Sequence, residues 1–327
     1  MKSRNRFFRR HGYALVFSIA LTALTGFVLL DTFVLPHVET VVETVAIETV
    51  EQAQTVSQKT NDTAETIVGL AATTTDAADP DEVVVTDDSY SGNGESIVIT
   101  TQRISGTTVY IADVQLSSAD ELKTALAQNT FGSNITQTTS GIAAENGAIL
   151  AINGDYYGAN KRGYVIKNGV LYRDSVRQGD DTQDLVIYKD GSFAIIDETQ
   201  ISAQELVDSG VVQLFAFGPV LIDGGDIQVS SSDEVSRSKT SNPRTAIGIV
   251  DDLHYIIVVA DGRTSQSEGL SLLELAQLMD SYGCSVAYNL DGGGSSTMVF
   301  NGTVINNPTT NGKSIAERAV SDIVYIS

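Results

Sequence analysis

The sequence predicts an α+β fold: mixed or antiparallel sheets with a few capping helices, preceded by one N-terminal transmembrane helix. Three observations predict it. A basic tail leads into an uncharged, mostly apolar run from Gly12 to Leu30. Past residue 95, many short stretches are β-branched or alternate apolar with polar, as half-buried strands do. Helix-start signatures are few and do not alternate regularly with the strands, which argues against a βαβ architecture.

Residues 1–11 form a basic cytoplasmic tail holding Lys2, Arg4, Arg6, Arg9 and Arg10, which the positive-inside rule keeps in the cytoplasm. Residues 12–35 are long and apolar enough to cross a bilayer. A cleaved signal peptide is the alternative, but no small-x-small cleavage site follows the apolar core, which favours an uncleaved anchor. The expected location is the cell membrane, single-pass, with the N-terminus inside and the rest extracytoplasmic. Residues 36–95 read as an acidic linker. Val41, Val45 and Val50 could line a short coiled-coil stalk that oligomerises, and the Thr-, Asp- and Ala-rich stretch through Asp76–Asp88 reads as disordered. The expectation is a spacer that lifts the following domain off the membrane.

The domain is expected over 96–327. Strands are predicted at 97–104, 107–114, 148–152, 185–188, 193–196, 211–217, 245–250, 254–259, 286–290, 297–300 and 323–326. Helices are predicted after three capping boxes: Ser118 with Glu121, Ser202 with Glu205, and Ser271 with Glu274. The second should stop at Gly210 and the third near Gly283.

Charge excludes some functions. The formal net charge is −21. The first 35 residues hold five basic side chains and one acid; the remaining 15 basic and 40 acidic groups leave 36–327 at about −25. Such a surface repels nucleic acid, so an anionic ligand needs a local cluster of cations. One cysteine, Cys284, excludes an intrachain disulfide and reads as a small buried hydrophobe. With His254 the only histidine in the predicted domain, a multi-histidine metal site is excluded. The Asp-rich turns (180–181, 223–226, 251–252) lack EF-hand spacing. Nothing requires a cofactor, and the sequence leaves open a divalent cation such as calcium.

The most informative stretch is Asn289-Leu290-Asp291-Gly292-Gly293-Gly294-Ser295-Ser296-Thr297. Glycines let a ligand approach the main chain, and successive N–H groups in such a turn can cradle an anion. Further polar clusters stand at predicted strand ends, Asn153-Gly154-Asp155, Asn242-Pro243-Arg244 and Asp261-Gly262-Arg263, while Asn306-Asn307 and Glu317-Arg318 follow the glycine-rich run. Each is also a common turn. No Gly-x-Ser-x-Gly elbow is present, and a Ser-His-Asp triad would have to use His254.

In order, NGDYY (153–157), FGPVLIDG (217–224), NPRTAIG (242–248), VVADGR (258–263), SEGLSLLELAQLM (267–279), AYNLDGGGSSTMV (287–299) and the later NNP and ER resemble the phosphodiester glycosidase family. That resemblance implies hydrolysis of a sugar-1-phosphodiester to a free sugar and a phosphomonoester. An ordinary glycosidase needs a protonated acid because an alkoxide leaves poorly. A phosphate is a weak base, with a second pKa of about 6, and can depart if positive charge receives it. Arg244, Arg263 and Arg318, with the N–H groups of Gly292, Gly293, Gly294 and Ser295, are the expected receivers. Asp291 comes first, then Asp155 and Glu317, as the carboxylate that attends the sugar carbon or activates water. Asn153, Asp261, Ser296 and Asn306 are expected to bind substrate. The expected substrate is a phosphate-linked envelope or exported glycan, in line with exopolysaccharide-related members of the family. A non-catalytic glycan-binding or assembly factor is the alternative, and a serine hydrolase a third reading.

Overall fold

A computed structural model describes residues 2–41, 83–179, 182–233 and 241–327, with side chains from Ala14 onward. Every strand pairing among the described residues is antiparallel. The largest sheet has nine strands. Its middle runs Val286–Leu290, Arg244–Asp251, His254–Ala260, Thr107–Gln115 and Glu95–Ile104. A five-stranded sheet is ordered Thr303–Val304, Met298–Phe300, Leu150–Asn153, Asp322–Ile326 and Leu122–Leu126. A third joins Phe193–Asp197, Gln183–Tyr188 and Val211–Phe215.

The central strands read as unbroken apolar runs because both their faces are covered. Along His254–Ala260, Ile257 and Val259 face a core shared with Leu150, Ile152, Met298 and Val324 of the second sheet and Leu185 of the third. Ile256, Val258 and Ala260 face the other way, against Leu272, Leu275, Ala276 and Met279 of the helix Leu272–Ser281. The period of two thus sorts one strand between two cores. Cys284 lies buried in the second, its thiol pushed up to about 12 by burial.

Two of the three expected helices form. Ser202 and Glu205 close a capping box on Ala203–Asp208, and Ser271 and Glu274 close one on Leu272–Ser281. Gly210 and Gly283 follow them at positive φ (98° and 79°), as a left-handed cap requires. The Ser118 box fails. Ser118 accepts from the Asp120 N–H over a single 3-10 turn, Ala119–Glu121, and the chain then enters the strand Leu122–Leu126. Pairing with Asp322–Ile326 overrides the local cap. The helix Thr139–Glu145, capped by Thr138, was hidden by a Thr-Ser-Gly composition that reads as loop.

The N-terminal helix Lys2–Phe33 contains a span, Ala14–Phe33, with mean hydropathy 2.0 and exposed side chains. The segment after it departs from the expected spacer. His37–Val41 pairs with Thr130–Ser133, and Val84–Val85 and Ser89–Gly92 extend the nine-stranded sheet ahead of Ser96. Both ends of the expected 36–95 linker are therefore strands laid on the domain. The stalk positions Val45 and Val50, the stretch 76–82 and the turn at 180–181 lie outside the described residues.

Candidate active site

Three strand ends meet beneath the glycine-rich turn, and Asn153 ties them. Its Nδ2 donates to the Asp291 carbonyl (2.6 Å), while its Oδ1 accepts from Thr245 Oγ1 (2.8 Å) and the Thr297 N–H (3.2 Å). Asn153 is wholly buried and spends these bonds on the frame. It ties the Asp291 backbone to the neighbouring strands and does not line the cavity described below, where a substrate contact was expected.

Asp291 is buried at the foot of the turn. Its Oδ2 accepts from Ser295 Oγ (2.7 Å) and from the Arg318 guanidinium (2.8 Å), and Arg318 Nε also donates to Ser295 Oγ (2.9 Å). Oδ1 accepts no hydrogen bond among the described residues, and the side chain lines a cavity of about 750 Å³. Burial pushes the Asp291 carboxyl above the ordinary carboxylate value; the Arg318 charge and the Ser295 hydroxyl oppose the shift. Arg263 stands opposite, donating to Asn242 Oδ1 (3.2 Å) and the Thr310 carbonyl (2.8 Å). Burial and the neighbouring Arg318 charge lower its pKa, and Asp291 raises it.

Six basic side chains line the cavity: Lys161, Arg162, Arg177, Arg244, Arg263 and Arg318. Among the described residues that line it, Asp291 is the only carboxylate. Within so acidic a chain this is a concentrated positive site. Arg244, Arg263 and Arg318 were expected there. Lys161 and Arg162 were missed, although they form a basic pair just after the NGDYY motif. Arg177 carried no sequence signal. It is placed by ion pairs to Asp184 and Glu198 and by a hydrogen bond to the Ala216 carbonyl. Desolvation raises the Asp184 carboxyl well above its ordinary value, opposed by Arg177.

Asp155 sits beside this centre, lining a smaller cavity of about 160 Å³ together with Asp291 and Arg318. Both its oxygens are engaged, Oδ1 by the Tyr156 N–H (2.6 Å) and Oδ2 by the Ala216 N–H (2.7 Å). Its own N–H donates to Asp322 Oδ1 (2.8 Å), and Asp322 Oδ2 pairs with Lys167 Nζ (2.7 Å), both side chains fully enclosed. Burial raises Asp322 to about 6, with Lys167 lowering and Asp155 raising it.

Several expected site residues serve the frame instead. Glu317 faces away from the cavity: Oε1 accepts from the Ser140 N–H (3.0 Å) and Oε2 from the Ser140 hydroxyl, at the start of Thr139–Glu145. Asp261 holds the following loop, accepting from the Asn307 N–H (2.8 Å) and Asn307 Nδ2 (2.9 Å). Asn306 bridges the Met298 N–H (2.9 Å) and the Ser296 carbonyl (2.9 Å). Ser296 Oγ is buried and outside the cavity. The anion cradle is incomplete, because the N–H groups of Gly293, Ser295 and Ser296 point to the carbonyls of Pro243, Gly292 and Gly293. The glycines matter for space. A Cβ on Gly293 (φ +62°) would stand 2.7 Å from Arg263 Nη2, and one on Gly294 would stand 2.4 Å from Thr310 Oγ1. His254 pairs with Asp113 (2.8 Å) outside the cavity, which removes the basis for a Ser-His-Asp triad. Among the described residues, no group of three or more His, Cys, Asp or Glu is placed to hold a metal ion.

Known proteins resemble this chain in sequence and fold. The chain is 32% identical over 200 residues to the SPbeta prophage-derived uncharacterized protein YomE of Bacillus subtilis (strain 168), covering 60% of this chain and 30% of that one. It is 30% identical over 189 residues to the N-acetylglucosamine-1-phosphodiester alpha-N-acetylglucosaminidase of Mus musculus, covering 53% of this chain and 35% of that one. The chain thus spans about a third of the length of these relatives. The solved catalytic domain of the zebrafish enzyme of the same name, auto-inhibited by its pro-peptide, shares the fold. Its TM-score is 0.56 at 24% identity, over 71% of this chain and 82% of that one. A hypothetical protein from Synechocystis aligns with TM-score 0.51 at 16% identity, over 72% and 62%. Residues 146–327, more than half the chain, match the family described as NAGPA: Phosphodiester glycosidase. The chain belongs to the phosphodiester glycosidase family.

Proposed function

We propose that this chain hydrolyses sugar-1-phosphodiesters, breaking the bond between the anomeric carbon and the phosphate oxygen. The observation that carries the reading is the cavity that, among the described residues, six cations line around one buried carboxylate. A phosphodiester is an anion, and phosphate leaves as a weak base once positive charge receives it. Arg263 and Arg318 flank Asp291 and would take the developing charge on the leaving oxygen. Asp291 Oδ1, without a partner in the frame, would face the anomeric carbon or orient the attacking water. Asp155, with both oxygens held, would support the geometry rather than react. The reading calls on no metal, and EDTA is expected to leave turnover unchanged.

The span Ala14–Phe33 would anchor the protein, with the basic tail in the cytoplasm and the domain outside. The substrate would then be an envelope or exported glycan. The test is release of free sugar from UDP-N-acetylglucosamine and a panel of synthetic sugar-1-phosphodiesters in ¹⁸O-labelled water. Label in the sugar supports the assignment. Label in the phosphate rejects cleavage at the anomeric carbon, and no release from any member of the panel rejects the hydrolase reading.

A further inference from the structure

The catalytic cavity is built against the membrane end of the N-terminal helix. Three residues separate Phe33 from His37, so the strand His37–Val41 begins within about 14 Å of the helix end. That strand pairs with Thr130–Ser133 so closely that a Cβ on Gly132 would meet the His37 carbonyl at 1.9 Å. Asn134 fastens the junction, its Nδ2 donating to the carbonyls of Thr32 (3.2 Å) and Leu35 (3.1 Å). Behind the junction, Phe131 stacks on Tyr157 (5.4 Å between centroids), and the Asn134 N–H donates to the Gly158 carbonyl (3.2 Å). These contacts run into the segment that walls the basic cavity. Asn160 and Lys161 line that cavity and also a second one, of about 380 Å³, shared with Asp31, Thr32 and His37 at the helix end.

The surface at the junction also suits a bilayer interface. Val34, Leu35, Val38 and Val41 are 45–62% exposed and continue the apolar character of the span past its end. Beside them the cavity rim presents Lys161 and Arg162 with an exposed aromatic, Tyr156. Cations and amphipathic aromatics are the side chains that settle at headgroup depth.

We propose that the substrate is membrane-borne: a diester joining the anomeric oxygen of a sugar, through phosphate, to a lipid alcohol that stays in the bilayer while the sugar phosphate enters the basic cavity. This rests on the hydrolase reading above. The bond from the anomeric carbon to the phosphate oxygen breaks. Water adds its hydroxyl to that carbon and gives its proton to solvent, and the lipid phosphomonoester remains in the membrane. With so short and fastened a junction, the lipid chain need not leave the hydrocarbon for the sugar phosphate to reach the cavity.

The test uses the full-length chain reconstituted in phosphatidylcholine vesicles. Two diesters carry the same sugar 1-phosphate, one esterified to a long-chain alcohol and one to methanol. The long-chain diester should be cleaved at least about tenfold faster at equal bulk concentration, because membrane confinement raises its effective concentration. A second protein carries ten Gly/Ser residues inserted between Leu35 and Pro36. It frees the cavity from its fixed height above the bilayer, so that advantage should fall by at least about threefold, with the wild-type rate on the methyl diester kept. Equal or faster cleavage of the methyl diester, or an insertion that leaves the ratio unchanged, overturns the proposal and leaves the hydrolase reading standing. Cleavage of neither diester overturns both.

Discussion

Lys167→Met tests the buried ion pair beneath the site. Lys167 Nζ lies 2.7 Å from Asp322 Oδ2 and 4.0 Å above the Phe215 ring, with both charged side chains enclosed. Removing the ammonium leaves a buried carboxylate without its counter-charge, a loss of roughly 3–5 kcal/mol. The cost has a pH signature. In the wild type Asp322 has a folded pKa of about 6, so above that it is ionised in both folded and unfolded states and adds no slope. In the variant its folded pKa climbs further, and the folded state holds a proton that the unfolded state does not. A raised acid contributes stability present at low pH and lost as pH rises through its folded pKa. The deficit should therefore grow by about 1.4 kcal/mol per pH unit above pH 6 until the new pKa is reached. Urea unfolding of the full-length chain in mild detergent at pH 6, 7 and 8 measures it. Adding Asp322→Asn should remove the slope, and Asn keeps an oxygen for the Asp155 N–H. A deficit below about 1 kcal/mol at every pH would refute the buried pairing.

Asp291→Asn should lower kcat/KM by roughly 10²–10⁴-fold while the chain stays folded, since Asn retains an oxygen for Ser295 and Arg318. Because burial raises Asp291, the acid limb of the wild-type kcat/KM profile should lie above the ordinary value of about 3.9. Arg318→Met, which removes an opposing charge, should move that limb further up; a limb that stays in place would discount Asp291 as the titrating group. Gly293→Ala places a methyl group against Arg263 at positive φ and should cost about 1 kcal/mol of stability as well as activity. Equal thermal midpoints would count against the described turn. Glu317→Gln should leave turnover unchanged and reduce stability by up to about 1 kcal/mol through the start of Thr139–Glu145. A hundredfold loss of turnover there would restore Glu317 to the catalytic set.

The sequence displayed the frame better than the division of labour within it. Strands such as His254–Ala260 were legible because burial on both faces demands continuous β-branched residues. The capping boxes at Ser202 and Ser271 were legible because a cap is a local hydrogen-bond pattern. Ser118 shows the limit, since the same pattern gave way to a strand partner two hundred residues away. Within the site, Asp291 and Arg318, from two separate motifs, form an ion pair, a meeting that the sequence alone could not show. Glu317 does not accompany Arg318, because it is held by Ser140 at the start of Thr139–Glu145. Asn153 and Asp261 stood out as polar residues at strand ends and Asn306 as one following the glycine-rich run, and such positions suit a brace as well as a ligand contact. Arg177 was invisible, for its place depends on Asp184, Glu198 and the Ala216 carbonyl, which only the third sheet brings together.

The six-cation cavity sits in a chain of charge −21, and the two fields have different ranges. At a distance an approaching anion meets net repulsion; only inside about one Debye length, 8–10 Å at ordinary salt, do the arginines prevail. Added salt screens the long approach more than the enclosed contacts. Association of a small anionic ligand should therefore speed up with ionic strength before it slows, the reverse of an enzyme that draws its substrate in with a positive surface.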